Sequence, residues 1–346
     1  MNPNLALTHS LLGTALGDSL GLPSEGMSRA RIAKRWKGPL EQRFLFGHGM
    51  LSDDTEHTVL SSQALLLCGG DPVVFQKRLA GKLRWWFAGL PAGIGLATAK
   101  AIIKLWLGFP PGRNGVYSAG NGPVMRAPVL GVYFANDRQQ RAKFVEASTF
   151  LTHTDRKAVE AAMMAADCAA FATNGEMRAD LILARIKEIG ESPEWRQPIE
   201  NIEDALAEGS TVSKFADKMG FSKGVSGYAV HTMTMVLFIW LRHRGDFSMI
   251  VSEAIACGGD TDSVAAIAGG IAGAETADFN PEWLGRLSDK PYTVDYITRL
   301  GSALAESGEG RLVKPPSVAN WLILPRNLVF FITVLLHGFR RIFPPY

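Results

Sequence analysis

The stretch Cys257-Gly258-Gly259-Asp260-Thr261-Asp262-Ser263-Val264-Ala265-Ala266-Ile267-Ala268-Gly269-Gly270-Ile271-Ala272-Gly273-Ala274 combines a Gly pair, alternating carboxylates and hydroxyls, and a run of small apolar residues. Val264, Ile267 and Ile271 recur at three- and four-residue spacing, the period of a helix face, which predicts a helix over 264–274. Leu60, Ala64 and Leu67 repeat the spacing, as do Ala158, Ala161, Ala162, Ala165 and Ala169. Small residues on these faces suit helices packed closely together, and no run of alternating β-branched residues points to a sheet. The expectation is an all-α globule.

Gly and Pro punctuate the chain at 47–49, 91–95, 108–115, 120–123 and 220–227, so its chemistry is expected on connectors between helices. No internal repeat is visible, and 188–208 reads as a polar excursion. The 346 residues, 47% hydrophobic, are enough for a substantial core. A net charge of +3 with scattered Lys and Arg argues against nucleic acid as a partner. Cys68, Cys168 and Cys257 lie far apart with no CxxC spacing, which disfavours disulfides or zinc and fits the cytoplasm. The N-terminal apolar stretch, broken by Gly13, Gly17 and Asp18, makes a poor signal peptide.

A second acidic cluster, Ser52-Asp53-Asp54-Thr55, precedes the periodic stretch 59–67. Alone it reads as a helix cap with acids near the positive end of the dipole. Paired with Asp260, Asp262 and Ser263, it makes an oxygen-only ligand set suited to two Mg²⁺ or Mn²⁺ ions. In Gly120-Asn121-Gly122-Pro123-Val124-Met125-Arg126 the glycines either form an ordinary turn or let a phosphate or ribose approach the backbone. Arg126 reads as a phosphate partner or a surface residue. In Thr152-His153-Thr154-Asp155, Thr154 or Asp155 is a candidate N-cap and His153 either structural or directed into a cleft. Glu25 is a surface carboxylate unless the fold brings it to the metals.

The stretches GTALGDSLGLPSE, GMLSDDTEHT, SAGNGPVMRAPVLG, LTHTDRKAVEAA and CGGDTDSVAAIAGGIAGA, spread from residue 13 to 274, resemble the ADP-ribosylglycohydrolase family in order and context. The resemblance implies an all-α fold with a dinuclear Mg²⁺ or Mn²⁺ centre in a cleft that binds ADP-ribose. Ser52, Asp53 and Asp54 match ligands of one metal, Asp260 and Ser263 ligands of the other, and Asp262 the bridging carboxylate. Glu25 matches an acid implicated in catalysis or gating, so that Glu25, Asp53 and Asp262 form the expected catalytic set. Asn121, Gly122, Met125 and His153 match residues along the ADP-ribose. Tyr228 resembles an aromatic near the acceptor in arginine-directed members, and is equally readable as a core Tyr.

Ser stands at 52 and 263 where Thr is commoner, keeping the ligating oxygen, and Pro123 removes an amide donor. The implied activity is metal-dependent hydrolysis of ADP-ribose from a modified acceptor, a protein arginine foremost, or from a small molecule. The rival readings are an ADP-ribose-binding antitoxin that neutralises an ADP-ribosyltransferase, and a two-metal phosphatase or nuclease. A domain over 1–315 is expected, with a hydrophobic extension over 316–346. The extension is expected to form a helix from about Leu328 that buries its apolar face on this subunit, a partner, or a lipid surface. Trp321, Arg340, Arg341 and Phe343 would then be interfacial residues. Its longest uninterrupted apolar piece, 328–336, is too short to cross a bilayer.

Overall fold

Glycine spacing sets how the central helices meet. Gly13, Gly17 and Gly21 line one face of the N-terminal helix Pro3–Gly21, at intervals of four, against the helix Thr261–Gly273. A Cβ on Gly17 would lie 2.0 Å from the Ala265 carbonyl oxygen, so the two backbones approach as closely as bare glycine allows. Hydroxyls lock the seam, with Ser10 Oγ donating to the Gly270 carbonyl at 2.7 Å and Thr261 Oγ1 to the Gly21 carbonyl at 2.8 Å.

The computed structural model describes residues 3–276 and 278–340. These hold seventeen α-helices and four short 3-10 turns, and no strand, only isolated bridges between loops. The all-α expectation holds. The Ala-rich helix Arg156–Asn174 is buried along most of its length, and Gly131 of the helix Ala127–Tyr133 packs against its Ala166 carbonyl. One contiguous apolar core extends from the N-terminal helix to the helix Val294–Gly308. All three cysteines are free and buried.

Three features depart from expectation. Residues 188–208 enter the core, because the helix Arg196–Ala207 buries Ile199, Ile202 and Ala205, and Trp195 just before it is fully enclosed. The two helices after the acidic clusters begin earlier than apolar periodicity indicates, at Asp53 and Thr261, since carboxylates and hydroxyls stabilise a first turn that apolar spacing cannot reveal.

The third is the C-terminal segment, whose helix runs Ile323–Arg340 and buries Arg326, Asn327 and Phe330 while its apolar side faces outward. The apolar face is therefore not buried on this subunit, the first of its three expected coverings. Arg326 finds two carboxylates beneath it, and a desolvated charge with partners fixes which face packs. At 21 residues and mean hydropathy 1.7, Asn320–Arg340 is also long and apolar enough to cross a membrane, contrary to the estimate from 328–336. Arg341 and Phe343 lie outside the described residues.

Gly17→Ala is expected to destabilise the protein by about 2 kcal/mol or more, because a backbone carbonyl cannot yield as a side chain would. Thermal unfolding followed by circular dichroism checks this, and an unchanged melting temperature contradicts the tight seam.

Candidate active site

Ser52 starts the helix Asp53–Leu66 as its N-cap, accepting from the Asp54 amide at 3.2 Å, and places Asp53 and Asp54 in the first turn. Beneath this turn lies Asp18, fully buried in the N-terminal helix. Its carboxylate accepts from the Ser52 amide at 2.9 Å, the Thr55 amide at 3.2 Å and the Thr55 hydroxyl at 2.5 Å. The sequence reading gave Asp18 no role.

The second acidic turn is held by glycine. Gly259 has φ of 80°, and a Cβ there would lie 2.0 Å from the Val225 carbonyl oxygen. Its amide donates to the Met27 carbonyl at 2.8 Å, and its own carbonyl accepts from Gly26 at 2.7 Å, so the turn is tied to the loop carrying Glu25. Asp262 and Ser263 then fall in the first turn of the next helix, and Ser263 Oγ donates to Asp54 Oδ2 at 3.0 Å. Asn121 Nδ2 donates to Asp260 Oδ2 at 2.7 Å, joining the Gly-rich loop to the same cluster.

Glu25, Asp53, Asp54, Asn121, Gly122, Met125, His153, Asp260, Asp262 and Ser263 all line one cavity of about 350 Å³. Ser52 does not reach it, its hydroxyl bracing Asp54 Oδ2 from behind at 3.2 Å. Tyr228 also stands off the wall, half-buried with its ring edge-on to His231, while the adjacent Gly227 lines the cavity. Gly93, Gly95, Leu96, Ala97, Thr98 and Ser118 complete the wall, none of them given a role from sequence because they carry no charged group.

Burial, and then mutual repulsion, raise the Asp53, Asp54 and Asp262 carboxyls well above the ordinary carboxylate range. Asp18 is pushed up to about 6 by burial, against the bonds it accepts. Asp54 Oδ1 and Asp262 Oδ1 are buried without any hydrogen-bond partner. No three His, Cys, Asp or Glu side chains among the described residues close into a metal cage. Even so, two orphaned anionic oxygens in an oxygen-rich cluster are what a hard divalent cation satisfies, so these residues fit Mg²⁺ or Mn²⁺.

Arg126 fits neither reading made from sequence. It is fully buried and donates to Ser148, Thr152 Oγ1 and the Gly122 carbonyl, so it braces the Gly-rich loop from inside. His153 is buried against Gly120 and Gly122, and burial, helped by Arg126, lowers it to about 3, so it stays neutral on the cavity wall. Asp155, rather than Thr154, caps the following helix.

A further support comes from the C-terminal helix. Arg326 contacts Glu56 Oε1 at 2.7 Å, Asp289 Oδ2 at 2.5 Å and the Leu51 carbonyl, while Asp289 Oδ2 also accepts from the Leu51 amide at 2.8 Å. Both backbone groups of Leu51, next to Ser52, are thereby fixed.

A family model described as ADP-ribosylglycohydrolase matches residues 6–312, and the chain belongs to that family. An uncharacterized protein of Archaeoglobus fulgidus is 27% identical over 84% of this chain and 94% of its own length. An ADP-ribosylarginine hydrolase of Pseudomonas putida is 25% identical over 83% of this chain and 76% of its own. A solved structure titled ADP-ribosylglycohydrolase-related protein complex superposes with a TM-score of 0.68, at 25% identity, over 88% of this chain and 99% of that one. The enzyme class is thus glycohydrolase, acting to release ADP-ribose by hydrolysis.

Two outcomes follow from this geometry. Carboxyls raised in the folded state bind protons more tightly there than in the unfolded chain, so the metal-free protein loses stability as pH rises from about 4 through 6 and beyond. Its melting temperature is expected to be lower at pH 8 than at pH 5 and to recover at pH 8 with Mg²⁺; a rise with pH would contradict this. Arg326→Met leaves Asp289 and Glu56 buried without their cation, at a cost of about 3–5 kcal/mol. Chemical denaturation measures that loss, and a change under about 1 kcal/mol would place Arg326 outside the support of this turn.

Proposed function

We propose that this chain is a divalent-metal-dependent hydrolase that removes ADP-ribose from ADP-ribosylated arginine on a protein. The observation that carries the reading is the pair of orphaned oxygens, Asp54 Oδ1 and Asp262 Oδ1, in a carboxylate cluster whose cavity is lined by no Lys or Arg among the described residues. The arginine acceptor is supported by the printed activity of the Pseudomonas putida relative.

Asp53, Asp54, Asp260 and Asp262, with the hydroxyl of Ser263, are the groups that would hold two Mg²⁺ or Mn²⁺ ions, while Ser52 orients Asp54 from behind. When bound, such ions supply positive charge and Lewis acidity for orienting ribose hydroxyls. Asn121 and Gly122 line the cavity beside this cluster, where an uncovered backbone suits a sugar or diphosphate. Neutral His153 closes that side without adding charge. Hydrolysis breaks the bond between the anomeric carbon and the guanidine nitrogen and forms one to a water oxygen, through an oxocarbenium-like state. Glu25, exposed and lining the cavity, accepts the proton that the water loses, and the guanidine departs with a proton from solvent. Tyr228, one residue from the cavity wall, offers a ring for the leaving guanidinium. The free, buried cysteines suit a cytoplasmic setting.

The test is turnover on arginine-, serine- and DNA-linked ADP-ribose with and without Mg²⁺. Release of ADP-ribose from arginine in Mg²⁺ alone is expected, and release only from another linkage would reassign the acceptor. Glu25→Gln is expected to lower kcat by roughly 10²-fold or more with ADP-ribose affinity nearly unchanged. Asp262→Ala is expected to abolish turnover while the helical circular dichroism persists. Full activity of Glu25→Gln would remove Glu25 from the proton transfer, and full activity of Asp262→Ala would remove the metal reading.

A further inference from the structure

The helix Ile323–Arg340 is an ordinary surface helix turned inside out. Its packed side is tethered by polar groups: the Arg326 ion pairs, Asn327 Nδ2 donating to the Gly89 carbonyl at 2.7 Å, and the His337 ring bonded to the Pro23 carbonyl at 2.9 Å. Its outer side carries Leu324, Leu328, Phe331, Ile332, Leu335 and Leu336, each between 44% and 64% exposed. At 100° per residue these six fall within an arc of roughly 140°, opposite Arg326 and His337. A continuous apolar stripe of this length in water is a sticky patch unless something covers it.

What flanks the stripe indicates what covers it. At the N-terminal end Lys77, Arg78 and Lys82 line a hollow with Trp85 and Ile323, and no acidic side chain among the described residues lines it. At the C-terminal end Lys34, Arg35, Lys37, Arg43 and Arg340 surround another hollow, where Glu41, the one acid among the described lining residues, already pairs with Arg43 and Arg286. Two aromatics mark the same ends. Trp321 is 76% exposed before the helix, and Phe46 is 100% exposed in the loop that Phe44 ties to His337, their rings 4.8 Å apart. Phe46 holds φ of 61°, a strained conformation for a bulky residue, while its ring meets only solvent.

We propose that this face docks on an anionic lipid bilayer, with the helix lying in the interfacial plane, its leucines and phenylalanines among the acyl chains and both basic clusters at the headgroups. The helix lies along the surface rather than across it, since a crossing would withdraw Arg326 from Asp289 and Glu56. A second copy fits less well, because basic hollows at both ends set cations against cations in either pairing direction.

Co-sedimentation of the full chain with phosphatidylcholine vesicles, with and without phosphatidylglycerol, tests the proposal. Binding to the phosphatidylglycerol vesicles that weakens with salt is expected. Ile332→Glu with Leu335→Glu should abolish it, and Lys34→Glu with Lys37→Glu should reduce it by about tenfold or more. Both double variants are expected to keep the wild-type melting temperature and hydrolysis rate, and the second keeps the test open if the first does not fold. The proposal is overturned if wild type binds neither vesicle, binds both equally, or binds no better than the variants. It is also overturned if light scattering finds a dimer that Ile332→Glu with Leu335→Glu dissociates while vesicles stay unbound, which assigns the face to a second copy.

Discussion

The close approach of Pro3–Gly21 to Thr261–Gly273 is the constraint on which the site depends. With glycine at 13, 17 and 21, the two helices meet backbone to backbone, and the seam runs straight into the acidic turns. Asp18, one residue beyond Gly17, sits under the Ser52–Thr55 turn, while Asp262 lies in the first turn of the opposing helix. Larger residues along the seam would separate these carboxylates, so the packing that stabilises the globule also concentrates negative charge.

That concentration runs against stability in the protein alone. Burial and repulsion both disfavour ionised Asp53, Asp54 and Asp262, and no Lys or Arg among the described residues lines their cavity. Neighbouring elements hold the arrangement: Asp18 anchors one turn, the Gly259 contacts anchor the other, and Arg326 with Asp289 fixes Leu51. A site so braced against its own repulsion is pre-organised for a positive ligand, which costs it little rearrangement on binding.

The sequence disclosed what is local. Ser52-Asp53-Asp54-Thr55 and the stretch 258–263 were legible because carboxylates and hydroxyls at a helix start carry their meaning within a few residues. Helical period likewise disclosed the all-α class. Asp18 was opaque, since its partners at 52 and 55 are more than thirty positions away and it looks like a polar break in an apolar run. Arg126 was misread for the same reason: only the fold reveals that Ser148 and Thr152 enclose it. The polar side by which the C-terminal helix packs on this subunit was not legible because hydropathy counts apolar residues, whereas Arg326 meeting Glu56, 270 positions earlier, decides which side packs.

Whether the carboxylate cluster is a divalent-cation site is most directly settled by anomalous diffraction from crystals of the full chain equilibrated with Mn²⁺. The account requires two Mn²⁺ peaks in the cavity, bounded by Asp53 and Asp54 on one side and by Asp260 and Asp262 on the other. A cavity with no peak at saturating Mn²⁺, its four aspartates unmoved, would contradict it.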